Sequence, residues 1–364
     1  MKILKNFILG EWLSLFFLST VIISFILVIG NIIKLVELII TKGINFTIVA
    51  QLFLFLMPSL LIFSIPIAIL TATLLTFGRM SYENEITAIR SSGINLYPFL
   101  GTILLIGTLF SALCLHFNDS IIPYAHYQIR VITQEIGIKK PTTYLEEKTF
   151  IKAFKDHIMF IYKIRGNYLE DVRIYQPQTN KPTRSIMART GQFISIPEKN
   201  SIKLILNDGT ADEPSFEDPE MFYKLNFKRY QLSLKLAEDQ ISSRLKKKVS
   251  DMTIDELQRE INLMRSLNID ATPLFVGLHR KFAISFSSMI FILIGIPLAI
   301  RIKRRERSMG FAISVIICLC YYLLMATGES LALRNKLPAF FGVWFANIVF
   351  LFLGVILNIK MLEK

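Results

Sequence analysis

Cysteine is scarce in this chain, with only Cys114, Cys318 and Cys320 among 364 residues, and each lies inside an apolar run. Thiols so placed supply neither a disulfide framework nor metal-ligand spacing, and they read as small buried apolar residues. The four histidines, His116, His126, His157 and His279, are scattered and read as ordinary surface or interfacial residues. There is no G-x-x-x-x-G-K-[ST] loop to cradle a nucleotide, no H-E-x-x-H and no G-x-S-x-G. With no catalytic constellation, the expectation is a protein that is not an enzyme, holds no cofactor of its own and binds no metal. Nor does any zinc-finger spacing, basic zipper helix or aromatic RNA-binding motif accompany the net charge of +13, so nucleic acid is not the expected partner.

What the chain has in excess is apolar residues: 52% of the total, with a mean hydropathy of +0.48, beyond the range of soluble globular chains. They fall into two blocks, residues 12–116 and 280–358, separated by a polar, charge-rich stretch. Residues 12–33 form one run that reaches about 33 Å as a helix, enough to cross the hydrocarbon core. No small-residue cleavage site follows it, so it reads as an uncleaved first span. Further spans are expected near residues 47–77, 97–116, 282–300, 310–333 and 339–359. Pro58 and Pro66 each remove a backbone donor from the second, where a kink or tilt is expected. The fold class is therefore α-helical membrane protein, six spans as three plus three, with an all-β domain inserted between the halves. The expected parts are residues 1–116, 117–278 and 279–364.

Basic residues set the expected orientation. If the N-terminus is cytoplasmic, the inside segments carry eleven, among them Lys5, Arg79, Arg90, Arg301, Lys303 and Arg304, whereas the short outside loops carry four: Lys34, Lys42, Arg334 and Lys336. The positive-inside rule then places both termini in the cytoplasm and the middle domain across the membrane.

Within that domain His157–Arg165, Ser201–Leu206, Met221–Phe227 and Tyr230–Leu236 alternate at period two and read as strands. Asn207-Asp208-Gly209, Pro177, Pro197 and Pro214 read as the turns between them, a spacing that suits a sandwich or jelly roll. His157–Arg165 is apolar on both faces, so Phe160 and Tyr162 become candidates to line an acyl-chain groove, with packing against a partner domain as the alternative. Thr253 and Glu256 form a capping box for a helix over Ile254–Ser266.

Between the second and third spans lies Gly78–Pro98, GRMSYENEITAIRSSGINLYP, too polar to cross a bilayer. Ser81 is placed to cap a helix with Glu83 and Glu85 in its first turn, Tyr82, Ile86 and Ile89 on one face and Gly93 at its end. One reading is a solvated connector at the membrane surface. The other is a coupling helix over residues 79–93 that docks into an ATPase, using Arg79, Glu83, Glu85, Ile86, Ile89 and Arg90.

Gly78–Gly93, His279–Ala299 (HRKFAISFSSMIFILIGIPLA), Arg305–Phe311 (RERSMGF), Leu337–Ile348 (LPAFFGVWFANI) and the Pro58/Pro66 helix together resemble the lipopolysaccharide-export permeases of the LptF/LptG type. The resemblance implies a bacterial inner-membrane protein that pairs with a related permease as a heterodimer and sits on a cytoplasmic ATPase dimer, which binds the ATP. It further implies extraction of lipopolysaccharide from the outer leaflet and its transfer, through the β-domain, to a periplasmic jelly-roll bridge. Ile32-Ile33-Lys34-Leu35-Val36-Glu37 looks more like the G-type subunit than the F-type.

Lys34 and Lys42 lie at the outer end of the first span and in the loop beyond. There an ammonium either meets a lipid phosphate or snorkels to the interface. Glu329, near the end of the fifth span, is expected to pair with Arg334 or another basic group. Two rivals stand beside the permease: a secondary transporter, which needs midplane ionisable residues and broken helices in matching repeats, and a non-transporting membrane anchor for a β-domain, for which one span suffices.

Overall fold

A computed structural model of the chain describes residues 2–40, 43–93, 97–139, 148–154, 157–165, 168–178, 181–196, 201–214, 222–234, 247–301 and 307–362. Lys42, Pro197, Met221 and Lys303–Arg305 lie outside the described residues. Its contacts divide the chain into two units: Met1–Leu35, Phe53–His126 and Val249–Lys364 form the first, and Val36–Leu52 with Tyr127–Lys248 the second.

Among the described residues six helices are long and apolar enough to cross a membrane, as the hydropathy predicts. The elements before the strands are α1 (Lys2–Ile40), α2 (Phe46–Tyr82), α3 (Glu85–Ser91), α4 (Tyr97–His116), a π-turn at Phe117–Ile121, and α5 (Ile122–Lys139). After the strands come α6 (Ile254–Ser266), α7 (Thr272–Arg301), α8 (Arg307–Leu333) and α9 (Ala339–Leu362). Helix α2 runs unbroken through both prolines. The third span does not stop at His116 as expected but continues through the π-turn to Lys139.

Helix α7 is the centre of the first unit, with 72% of its apolar window buried against 22–44% for the other spans. Hydrophobicity does not drive helices together in lipid, so close backbone approach and polar pairs must do it. Both are present. A Cβ built on Gly342 of α9 would lie 2.6 Å from the Gly328 carbonyl oxygen of α8. Tyr321 Oη donates to Asn347 Oδ1 at 2.5 Å, and Asn347 Nδ2 donates to the Ala283 carbonyl at 3.0 Å. The capping box on α6 forms as read, and Leu257 and Ile261 of that helix pack on Leu274 and Leu278 of α7.

Among the described residues of the second unit six strands pair antiparallel in chain order: β1 (Phe150–Phe154), β2 (His157–Arg165), β3 (Tyr168–Gln178), β4 (Lys181–Ile196), β5 (Ser201–Pro214) and β6 (Phe222–Leu234). The all-β insertion is as expected and β2 has its expected bounds, but other internal boundaries differ. Asn207-Asp208-Gly209 is no turn: it lies inside β5, and the two strands expected around Phe227 and Tyr230 are one, β6.

The reason is a crease across the sheet. The regular pairing skips one row, Tyr162, Asp171, Arg189, Asp208 and Lys228, in five consecutive strands. Asp171 and Asp208 both take φ 51°, the left-handed region that short polar side chains tolerate. On one side of the row Met159, Ile161, Val172, Ile174, Ile186 and Ala188 point inward; on the other side the inward residues are Leu169, Phe193, Leu204 and Leu206, one step out of phase. An irregular residue in each strand therefore keeps one face of the sheet inward on both sides, as bulges do at the corners of β-sandwiches. Gly209 is required beside it, because a Cβ there would collide with the Met187 carbonyl oxygen.

Candidate functional site

Helix α2 ends at Tyr82, and Asn84, at φ 56°, turns the chain into α3. Ser81 is therefore not the cap that the sequence suggests. It sits in the last turn of α2, where its Oγ donates to the Ile300 carbonyl of α7 at 2.9 Å, and the cap position falls to Asn84 without a side-chain bond. Tyr82 is likewise not on the face of α3 and stays exposed, whereas Ile86 and Ile89 are buried in the core of the helical unit. Arg90 donates to the Met361 carbonyl at 3.3 Å. These three side chains fasten α3 to the bundle, so the carboxylates at its start are what it presents.

Those carboxylates converge on Arg79. Its Nη1 donates to Glu85 Oε1 at 2.8 Å and to Glu83, while Nε and Nη2 grip both oxygens of Glu11 in α1, each at 2.5 Å. Such side-on bidentate geometry is the strong form of the arginine–carboxylate bond. Three carboxylates on one guanidinium leave the group with surplus negative charge. Glu83, with 46% of its side chain exposed, turns that charge outward. Glu11 is the member that sequence reasoning missed, since nothing in the local pattern of residues 78–98 points 68 residues back from Arg79.

Of the other candidates, Lys34 is exposed on α1, two turns short of the helix end at Ile40, and makes no hydrogen bond or ion pair with another described residue. On the sheet the core lies on the side of Met159 and Ile161. Phe160 and Tyr162 are on the opposite side, where the Phe160 ring packs at a tilt against Phe150, centroids 5.2 Å apart, and Lys148 Nζ sits 5.0 Å over the exposed Tyr162 ring. Glu329 finds its basic partner in Arg280 of α7, at 3.1 Å, and not in Arg334.

A second polar cluster was not foreseen. Lys281 of α7 is only 6% exposed, and its Nζ donates to the Asn118 carbonyl in the π-turn at 2.7 Å. Asn118 Nδ2 returns a bond to the Lys281 carbonyl at 3.0 Å, and Asp119 Oδ1 accepts from the first amide of α6, Ile254 N, at 2.7 Å. Pro123 explains the arrangement. It has no N–H, so position 123 can serve neither the carbonyl five residues back nor the one four residues back, and Lys281 supplies a donor instead.

Two sets of three apolar spans, a β-sheet inserted between them in the chain and a short helix with an acidic start, tied to the second span through Arg79 and to the sixth through Arg90, fit a multi-pass membrane protein. The chain belongs to the lipopolysaccharide export system permease LptF/LptG family, whose model matches residues 6–360. It is similar to the lipopolysaccharide export system permease protein LptF of Escherichia coli K12, 20% identical over 300 residues that cover 81% of this chain and 78% of that protein. An uncharacterized protein of Rickettsia prowazekii is 25% identical over 214 residues, 58% of this chain, and the match spans 59% of that relative's length.

Proposed function

We propose that the chain is the permease subunit of an ATP-driven exporter that extracts lipopolysaccharide from the inner membrane and passes it to a periplasmic β-jelly-roll bridge. Family membership over residues 6–360 is the observation that carries the reading. The subunit pairs with a paralogous permease, and a cytoplasmic ATPase dimer binds and hydrolyses the ATP. Both termini face the cytoplasm and the β-sheet faces the periplasm, a proposal supported by the eleven-to-four division of basic residues.

Residues 79–93 form the coupling helix, with Glu83 and Glu85 as the groups that meet the ATPase, Arg79 holding them in place, and Ile86, Ile89 and Arg90 seating the helix. Lys34, with Lys42 beyond it, meets the anionic headgroup, and Phe160 and Tyr162 offer an aromatic surface to the acyl chains. The test is purification from detergent with the ATPase and the second permease, followed by reconstitution. ATP-dependent release of lipopolysaccharide to the bridge protein supports the reading. Export that needs an ion gradient and no ATPase would sink it. The G-type assignment rests on Ile32–Glu37, and co-purification with an F-type paralogue supports it whereas pairing with a G-type one overturns it.

A further inference from the structure

Helix α1 is joined to α2 at three separated polar points: Glu11 to Arg79, Trp12 Nε1 donating to Thr73 Oγ1 at 3.0 Å, and Ser24 Oγ donating to Ser64 Oγ at 2.9 Å. Its outer flank, with Phe17, Val21 and Phe25, is exposed. In lipid, apolar surface that leaves a neighbouring helix is taken up by acyl chains, so polar pairs and close packing decide where such a helix sits. Control of those points is control of the helix.

Arg79 is the only one of these links that also reaches α3. Its guanidinium divides its donors in two, with the Nε/Nη2 edge taken by Glu11 and Nη1 by Glu83 and Glu85. A basic side chain that approached from outside could use the exposed oxygens of Glu83 without displacing Arg79 from Glu11. A force on α3 then moves Arg79, and Arg79 moves the first span at Glu11, next to the fully buried Trp12.

We infer that Glu11 is a positioning residue that transmits displacement of α3 to the first membrane span through Arg79. This rests on the proposed coupling role of residues 79–93. The ion pair across residues 11 and 79 joins the ATPase stroke to helix α1, which carries Lys34 two turns short of its other end. The fixed fork of arginine is needed because one side chain must hold carboxylates in different directions at once.

The experiment uses the full assembly of both permeases and the ATPase in proteoliposomes, in a background with Cys114, Cys318 and Cys320 replaced. Spin labels on Phe17→Cys in α1 and Leu351→Cys in α9 report movement of the first span, while ATP hydrolysis and lipid release are measured together. In the parent, ATP shifts the label separation. Glu11→Gln is expected to assemble and hydrolyse ATP at close to the parental rate, yet to lose the shift and release several-fold less lipid per ATP. Glu11→Asp, which keeps the charge, is expected to recover part of both. A Glu11→Gln complex with the parental shift and the parental lipid-to-ATP ratio overturns the relay, as does one whose assembly or hydrolysis falls in step with export, which would make Glu11 merely structural. Glu85→Lys separates the two readings: if it too assembles and exports like the parent, the coupling-helix reading fails, whereas a defective Glu85→Lys beside a parental Glu11→Gln removes the relay alone.

Discussion

Replacing Lys281 by methionine should cost stability because of a proline on another helix. Methionine keeps an apolar stem of similar reach and removes the ammonium, so the packing around α7 changes little. What changes is the Asn118 carbonyl, which loses the donor that stands in for the N–H that Pro123 lacks. An orphaned buried acceptor costs about 1–3 kcal/mol, and that sets the expected loss for Lys281→Met. Pro123→Ala gives residue 123 an amide that can reach back to the 118 or 119 carbonyl, so in that background the same substitution should cost about 1–2 kcal/mol less, the usual size of coupling between groups sharing one hydrogen-bond network. A double-mutant cycle measured by reversible unfolding in mixed micelles, with helicity as the readout, gives the coupling directly. Equal penalties for Lys281→Met in the parent and in the Pro123→Ala background would refute the reasoning, since the lysine would then not be substituting for the missing amide.

Glu85→Lys places a cation against Arg79 and removes one of the two carboxylates at the start of α3, so assembly with the ATPase should weaken at least about tenfold in co-purification, whereas a solvated connector would tolerate the change. Gly342→Val should destabilise the α8–α9 pair by about 1–3 kcal/mol, because the added carbons meet the Gly328 carbonyl oxygen and Ala332 Cβ and the backbone itself must move; thermal unfolding in detergent reads it, and a melting point equal to the parent's would disprove the close approach. For Lys34 the order of lipopolysaccharide crosslinking to α1 should be parent, then Lys34→Arg, then Lys34→Ala, with Lys34→Asp lowest; equal crosslinking across the series would leave Lys34 a snorkelling anchor.

The six spans were legible because burial in lipid acts on each segment separately: a run such as residues 12–33 declares itself without reference to any other part of the chain. The same holds for the Thr253–Glu256 capping box, a contact between residues three apart. The strands were legible only where the period of two held. The period of two marks His157–Arg165 at its observed bounds but does not mark β1, β3 or β4, and the expected turn at Asn207–Gly209 is part of the crease. Locally the two are the same signal, since Asp and Gly admit positive φ in a hairpin and in a bulge alike. Only the neighbouring strands, which carry Asp171 and Arg189 in the same row, distinguish them.

The polar clusters show where sequence reasoning meets its physical boundary. Glu83 and Glu85 could be singled out from a helix start, but their partner Arg79 faces two ways, and its other half, Glu11, depends on the depth at which α1 and α2 lie side by side. Lys281 and Asn118 depend in the same way on the relative depth of α7 and the π-turn that follows α4. A one-residue slide of either helix leaves every hydropathy window intact and carries such a pair about 1.5 Å along the axis and about 100° around it, out of hydrogen-bond range. In a bilayer the apolar surfaces are nearly indifferent to that slide, so these few polar contacts are what select the register. Within such a bundle, the residues least visible in the sequence are therefore the ones that fix how its helices are placed, and a link like Glu11–Arg79 can set the position of a span whose apolar residues specify only that it crosses.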